Sequence, residues 1–232
     1  MPLQARYLAR QWLINAMMGS PVSIWYDWKG NANKPLDGES NFGVTAANNS
    51  ETLGVPKPSF FTASALTEHI FSRELQFKAR LNATLVGHSG VNEAVFALCF
   101  GGHNARGACA VIAVWVSRTR PASTQAGNAI CASQIGRAED CGYWGIRKAA
   151  CENRGCCFDS NAAGPQCRRP NVTVAVSIEG CFDVVELPKS EASQHYNSHR
   201  PSRQVCSTAG GDRAPVVSVR ASDNPVLLMN SQ

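Results

Sequence analysis

Residues 131–167 read CASQIGRAEDCGYWGIRKAACENRGCCFDSNAAGPQC, and this stretch holds six of the ten cysteines of the chain. They are Cys131, Cys141, Cys151, the adjacent Cys156 and Cys157, and Cys167. Between them stand turn formers and polar residues, with too few apolar side chains to build a core. So short a segment folds only when disulfides or a metal restrain it. The adjacent pair argues against zinc, whose ligands sit about two to four residues apart so that both thiolates reach one tetrahedral ion. Neighbouring cysteines project in different directions and pair with different partners. Six cysteines allow about fifteen pairings, and sequence alone does not choose among them.

The order CGYWGI followed by CENRGCCFD resembles the P-type or trefoil domain, found in secreted mucosal factors and in some secreted or membrane-bound glycosidases. The matching residues are Asp140-Cys141-Gly142, Gly145-Ile146, Cys151 and Gly155-Cys156-Cys157-Phe158-Asp159, with all six cysteines at the family's spacing. The resemblance implies a module over residues 127–170 and three bridges, Cys131 to Cys157, Cys141 to Cys156 and Cys151 to Cys167. Each bridge would contribute roughly 2–4 kcal/mol, mainly by restricting the unfolded chain. Gln166 stands where glycan-binding members usually carry tryptophan, and Trp144 where proline is usual. The resemblance therefore implies a scaffold or spacer ahead of a glycan binder.

Working outward, the chain has 232 residues, enough for one or two domains. A hydrophobic content of 44% with 17% charged residues describes a globular chain and not a disordered one. The net charge is +5, but the basic residues are scattered and Arg168-Arg169 is a short cluster. A nucleic-acid partner is excluded on that ground, since it needs a coherent basic face. Ten cysteines point to an oxidising compartment, extracellular or in the lumen of the secretory pathway. Three sequons agree, at Asn48, Asn82 and Asn171, and make these candidate N-glycosylation sites. Residues 1–18 carry Arg6, Arg10 and Gln11 within an apolar pattern, which reads as an amphipathic helix and not a signal peptide. A disulfide-rich chain without such a signal leads to the expectation that its natural N-terminus lies upstream of Met1. No apolar run is long enough for a membrane span.

In order, residues 2–18 predict a helix with a broad apolar side of Leu3, Tyr7, Leu8, Trp12, Ile14, Met17 and Met18, stopped by Gly19 and Pro21. Val22-Ser23-Ile24-Trp25-Tyr26 is short and almost wholly apolar, as expected of a strand covered on both faces. A polar, glycine- and asparagine-rich loop follows to Ser50, and long loops of this kind often carry function. Phe60, Phe61, Ala65, Leu66, Ile70 and Phe71 then give a helical period over about residues 58–76.

Four blocks in this region, QARYLARQWL, SIWYDWKG, Glu39-Ser40-Asn41-Phe42-Gly43 and Lys57-Pro58-Ser59-Phe60-Phe61, resemble the last part of a retaining (β/α)8-barrel glycoside hydrolase of the cellulase/xylosidase-like group. The resemblance covers about residues 2–75 and implies that residues 22–26 are the eighth barrel strand between two helices. Barrel sites lie at the C-terminal strand ends. Trp25, Asp27 and Trp28 would then be substrate-binding residues, with aromatic rings that stack on sugar faces. Core packing for Trp25 and loop anchoring for Trp28 are the plainer alternatives. Asp27 and Glu39 read as hydrogen-bonding or structural acids. Retaining hydrolysis needs two carboxyl groups about 5–5.5 Å apart, and in the resembled family these come from strands four and seven. Both would precede Met1, so no catalytic residue is assigned here. A complete barrel takes about 250 residues. Residues 1–75 alone are expected to expose Trp12, Ile24, Phe60 and Phe71.

From Lys78 the pattern becomes short apolar runs at 95–100, 109–116, 172–176, 181–185, 216–219 and 225–228, separated by turn signals. These predict a β-sandwich. The cysteine-rich module is inserted between its halves, with residues 119–129 and 168–170 as linkers. Such a small C-terminal sandwich is also what the resembled hydrolases carry. Cys99 with Cys109, and Cys181 with Cys206, are candidate further disulfides, with buried free thiols as the alternative. Gly87-His88-Ser89-Gly90 starts like a nucleophile elbow, but Val91 stands where the motif needs glycine. His195 and His199 have helical metal-pair spacing without helical periodicity or an acidic third ligand, so no metal site and no cofactor are assigned.

The expected fold class is multidomain: a partial barrel over 1–75, the first half of a sandwich over 76–126, the trefoil over 127–170, and the second half over 171–232. The expected function is that of a C-terminal, non-catalytic portion of a secreted glycoside hydrolase acting on β-linked sugars. Its expected partners are a carbohydrate and the remaining N-terminal barrel portion. The alternative is a non-enzymatic secreted trefoil protein that binds glycans or mucins.

Overall fold

The computed structural model describes residues 2–30, 42–46, 55–86, 93–103, 108–118, 139–140, 146–152, 156–161, 166–169, 172–187, 203–210, 213–221 and 225–230. Outside these lie Cys131, Cys141, Trp144, Glu39, Asn48, Asn171, His195, His199, the 87–92 stretch and the 119–129 linker.

In chain order the elements are α1 (Pro2–Met17), β1 (Thr45–Ala46), β2 (Val55–Pro56), α2 (Pro58–Leu66), β3 (Gln76–Arg80), β4 (Ala83–Leu85), β5 (Glu93–Gly101) and β6 (Val111–Arg118). They continue with β7 (Glu139–Asp140), α3 (Lys148–Glu152), β8 (Cys157–Phe158), β9 (Cys167–Arg169), β10 (Val172–Ser177) and β11 (Cys181–Glu186). The last are β12 (Arg203–Cys206), β13 (Thr208–Gly210), β14 (Arg213–Ala221) and β15 (Val226–Asn230).

The body of the fold is two antiparallel sheets. A six-stranded sheet runs β12-β11-β15-β6-β5-β3 and a four-stranded sheet runs β13-β14-β10-β4. Alternation along the strands decides what lies between them. Val174 and Val176 of β10 and Val217 and Val219 of β14 pack against Ala97, Ile112, Val114, Phe182, Val184, Val226 and Leu228 of the larger sheet. On the solvent side of β14, Ser218 and Arg220 are exposed. The result is sandwich-like.

The larger sheet has apolar residues on both faces because both are covered. Along β6, Ile112, Val114 and Val116 point into the sandwich, while Val111, Ala113 and Trp115 join Leu98, Phe100 and Leu227 on the other side. That second face receives α1 and α2 through Leu8, Ala9, Leu13, Ala65, Leu66 and Ile70. This explains why residues 111–116 are an unbroken buried run and not an alternating one.

Four expectations for the N-terminal region change. Residues 22–26 form no strand. Val22, Ile24 and Tyr26 are 64%, 76% and 67% exposed, because no neighbouring strand among the described residues pairs with this segment or covers it. The buried stripe of α1 is Ala5-Leu8-Ala9-Leu13, whereas Tyr7, Ile14 and Met18 face outward. Ile24 is exposed as expected, but Trp12, Phe60 and Phe71 are half-buried against the helix–sheet core. The second helix is also shorter than its apolar period. It passes into a wider π-type turn at Thr67–Phe71, and β3 begins at Gln76.

The cysteine-rich segment forms a separate small sheet, β7-β9-β8, with Ile146, Cys151, Cys156 and Cys167 buried together and Ala150 and Phe158 against them. Cys151 is bonded to Cys167, and Cys156 and Cys157 are both disulfide-bonded. Elsewhere Cys99 is bonded to Cys109 and Cys181 to Cys206. The Cys99–Cys109 bridge lies inside the sandwich core and closes the β5–β6 connection. Replacing both cysteines by alanine is expected to cost about 2–3 kcal/mol, read as a lower urea midpoint at unchanged slope. No helix among the described residues is long and apolar enough to cross a membrane.

Candidate functional site

The exposed segment after α1 leads to a cluster of aromatic rings beside a backbone clasp. Residues 27–30 run alongside 44–45. Val44 N–H donates to the Asp27 carbonyl at 3.2 Å, Thr45 N–H to the Trp28 carbonyl at 3.1 Å, and Gly30 N–H to the Thr45 carbonyl at 3.0 Å. The Thr45 hydroxyl donates to the same Trp28 carbonyl at 3.1 Å. On its other side this stretch pairs through β1 with β2, and Lys57 N–H donates to the Val44 carbonyl at 2.9 Å.

Both helices pin the clasp. The Gln4 amide on α1 donates to the Phe42 carbonyl and, at 3.1 Å, to the Gly43 carbonyl. Ser59, buried at the start of α2, donates its hydroxyl to Gln4 Oε1 at 3.1 Å. Gly43 is required by close approach, since a Cβ there would stand 2.1 Å from the Gly30 nitrogen. Neither backbone can yield without breaking the clasp. Gly43→Ala is expected to cost about 1–3 kcal/mol and to shift the amide resonances of residues 27–30 before those of the sandwich.

Each residue singled out from the sequence takes a different position here. Trp25 is half-buried against the helix–sheet core, and its indole N–H donates to the Phe42 carbonyl at 3.0 Å. That is an anchoring role. The Asp27 carboxylate accepts from the backbone N–H of Trp28 and so fixes the turn. Trp28 is 56% exposed, and its ring meets Phe60 edge-on at 5.7 Å. Phe60 in turn meets Phe61 edge-on at 5.6 Å. Tyr26 and Phe42 are also exposed.

Trp28 is thus held at its edge by Phe60 with much of its surface open. A braced, exposed aromatic ring offers an apolar face with a polar indole handle. Among the described residues no three His, Cys, Asp or Glu side chains gather as they would around a metal. Asn82 is exposed in the β3–β4 turn, where its backbone carbonyl accepts from Ser177 N–H at 2.9 Å.

Sequence reasoning named Trp25, Asp27 and Trp28 but missed Gln4, Ser59, Phe60 and Gly43 as parts of the site. The available signal was the coexistence of the four blocks: Gln4, residues 25–30, residues 42–43 and residues 57–60 all meet in this clasp.

Residues 131–172 match the trefoil (P-type) domain model. Among curated proteins, none matches the chain. The chain as a whole is similar in structure to a family 39 glycoside hydrolase from the gut symbiont Bacteroides cellulosilyticus WH2, with a TM-score of 0.50 at 16% sequence identity. The likeness covers 98% of this chain and 30% of that chain, and at this identity it speaks to the fold alone.

Proposed function

We propose that this chain is the C-terminal, non-catalytic portion of a secreted glycoside hydrolase acting on β-linked sugars, with a trefoil module inserted in its sandwich. Trp28 is its sugar-facing ring, and Trp25 and Asp27 hold that ring's segment in place. The observation that carries this reading is the convergence of four separated sequence blocks on one clasp beneath an exposed, braced tryptophan. The fold likeness to a family 39 glycoside hydrolase supports it. So does the row Val22, Ile24, Tyr26 and Trp28, whose exposure suits a segment that lies against further barrel strands in the whole enzyme. The catalytic pair is assigned to that further barrel portion, because retaining hydrolysis needs two apposed carboxyl groups and Asp27 is occupied with its own turn.

The purified chain is expected to release no nitrophenol from aryl-β-glycosides. It is expected to bind β-linked cello- or xylo-oligosaccharides in titration calorimetry, with Trp28→Ala weakening binding at least about tenfold, or about 1.4 kcal/mol. Because Trp28 is largely exposed, the same change should leave stability within about 0.5 kcal/mol. Turnover that disappears with Asp27→Asn would overturn the non-catalytic assignment. Oligosaccharide binding indifferent to Trp28→Ala would overturn the role of that ring.

The trefoil match favours a second reading, a secreted non-enzymatic protein whose trefoil binds glycans or mucins. Glycan-array binding that vanishes with Trp144→Ala and survives Trp28→Ala would select it.

A further inference from the structure

The three described disulfides differ sharply in setting. Cys99 and Cys109 are 2% and 7% exposed inside the sandwich, and Cys151 and Cys167 are 0% and 1% exposed inside the trefoil module. Cys206 is exposed and Cys181 is half-buried. Their bridge joins directly opposed residues of β11 and β12, at the outer edge of the six-stranded sheet. The next pair along, Gly180 and Ser207, is joined by Ser207 N–H donating to the Gly180 carbonyl at 2.8 Å. In an antiparallel ladder the adjacent pair is then of the non-hydrogen-bonded kind, where the strands come closest. The Cα atoms of Cys181 and Cys206 are accordingly 4.0 Å apart.

The edge strand depends on this bridge more than the sheet does. β12 pairs with β11 over four residues, and Arg203, Gln204 and Cys206 are exposed along it. β11 is held independently on its other side by five register pairs with β15, and Phe182 and Val184 stay within the sandwich core.

We infer that Cys181–Cys206 is a thiol-exchange site, opened by dithiol reductants in the folded protein, and that its opening releases β12 from the sheet edge. A dithiol thiolate attacks Cys206 Sγ, the bond to Cys181 breaks, and a mixed disulfide forms. The second thiol of the reductant attacks its own bonded sulfur and frees Cys206. Two electrons pass to the protein, the reductant leaves as a disulfide, and its two thiol protons end on Cys181 and Cys206. Exposure selects this bridge, since a buried disulfide is reached only when the fold around it opens. The partner chemistry is a dithiol, small or carried on a protein. The released edge of β11 offers unpaired backbone groups to another strand. None of this depends on the glycosidase reading.

The test is a dithiothreitol series at neutral pH on the folded chain, trapped with an alkylating agent and read by peptide mass spectrometry. Cys181 and Cys206 should be labelled at a dithiothreitol concentration at least about tenfold below that which labels Cys99 and Cys109 or Cys151 and Cys167. Hydrogen exchange on the selectively reduced protein should speed up at the β12 amides and not at β6. Labelling of Cys99 or Cys151 at the same or lower concentration overturns the inference, as does unchanged exchange at β12. The paired Cys181→Ser and Cys206→Ser variant should still melt cooperatively, and its failure to do so counts equally against the inference.

Discussion

Trp115→Ala lowers the unfolding free energy by about 3–5 kcal/mol, among the largest effects expected of a single substitution in this chain. Trp115 is 1% exposed on β6, at the face of the large sheet that receives the helices. Its ring stacks on Phe96 at 4.7 Å with the planes 2° apart, and the Arg80 guanidinium lies over the Phe96 ring at 4.7 Å. Truncation removes the stack and leaves a void between two rigid layers that are slow to collapse into it. The loss also falls on α1. Arg10 reaches from that helix to the Val116 carbonyl at 3.3 Å, next to the truncated position. Burial, and then the neighbouring Arg6, push the Arg10 guanidinium down to about 10, so this residue already sits in an unfavourable setting. Urea unfolding should show a lower midpoint, and native-state hydrogen exchange should show α1 opening more readily than β10 and β14. A loss below about 1 kcal/mol would mean that the helices do not share a core with the sheet.

Removing the Cys151–Cys167 bridge by paired serine substitutions is expected to cost about 2–5 kcal/mol, confined to residues 131–172. Among the described residues of that module, Ile146, Cys151, Cys156 and Cys167 are the buried cluster, with Ala150 and Phe158 at the margin. Two of those four buried residues form this one bridge. A core so reliant on sulfur has little left when the bridge goes. Trypsin should then cut after Arg147 or Lys148 while the sandwich fragments remain intact. Unchanged protease resistance of the module would contradict the expectation.

The two halves of the molecule differ in what their sequence made legible. In the cysteine-rich segment the constraint is local and covalent, so spacing carried the reading. Four of the six predicted sandwich runs lie within strands of the two sheets, and the other two, 109–116 and 225–228, do so from Val111 and Val226. Their period and turn residues act over a few positions. The short strands β4 and β12 escaped notice because three or four exposed or half-exposed residues leave no apolar pattern, and β13 because three residues are too few to carry one.

Residues 22–26 went wrong for the opposite reason. An apolar run is read as a buried strand on the assumption that neighbours exist to cover it. Here Trp25 finds cover and Val22, Ile24 and Tyr26 do not. In the candidate site, the residue types at Trp25, Asp27 and Trp28 were visible, but their roles were not. Which ring is anchored and which is open depends on Phe42, Gly43 and Phe60, from segments distant in the chain.

By itself the sequence determined the cysteine-rich module, the strand-rich body from Lys78 onward and the helical start, because cysteine spacing and side-chain periodicity are set by near neighbours. Only the tertiary structure decided that the helices share a core with the six-stranded sheet, that Trp28 is the open ring, and that of the three described disulfides one lies at an exposed edge while two are sealed. Those outcomes depend on which surfaces meet, and burial is a property of the pair in contact, not of either stretch of chain alone.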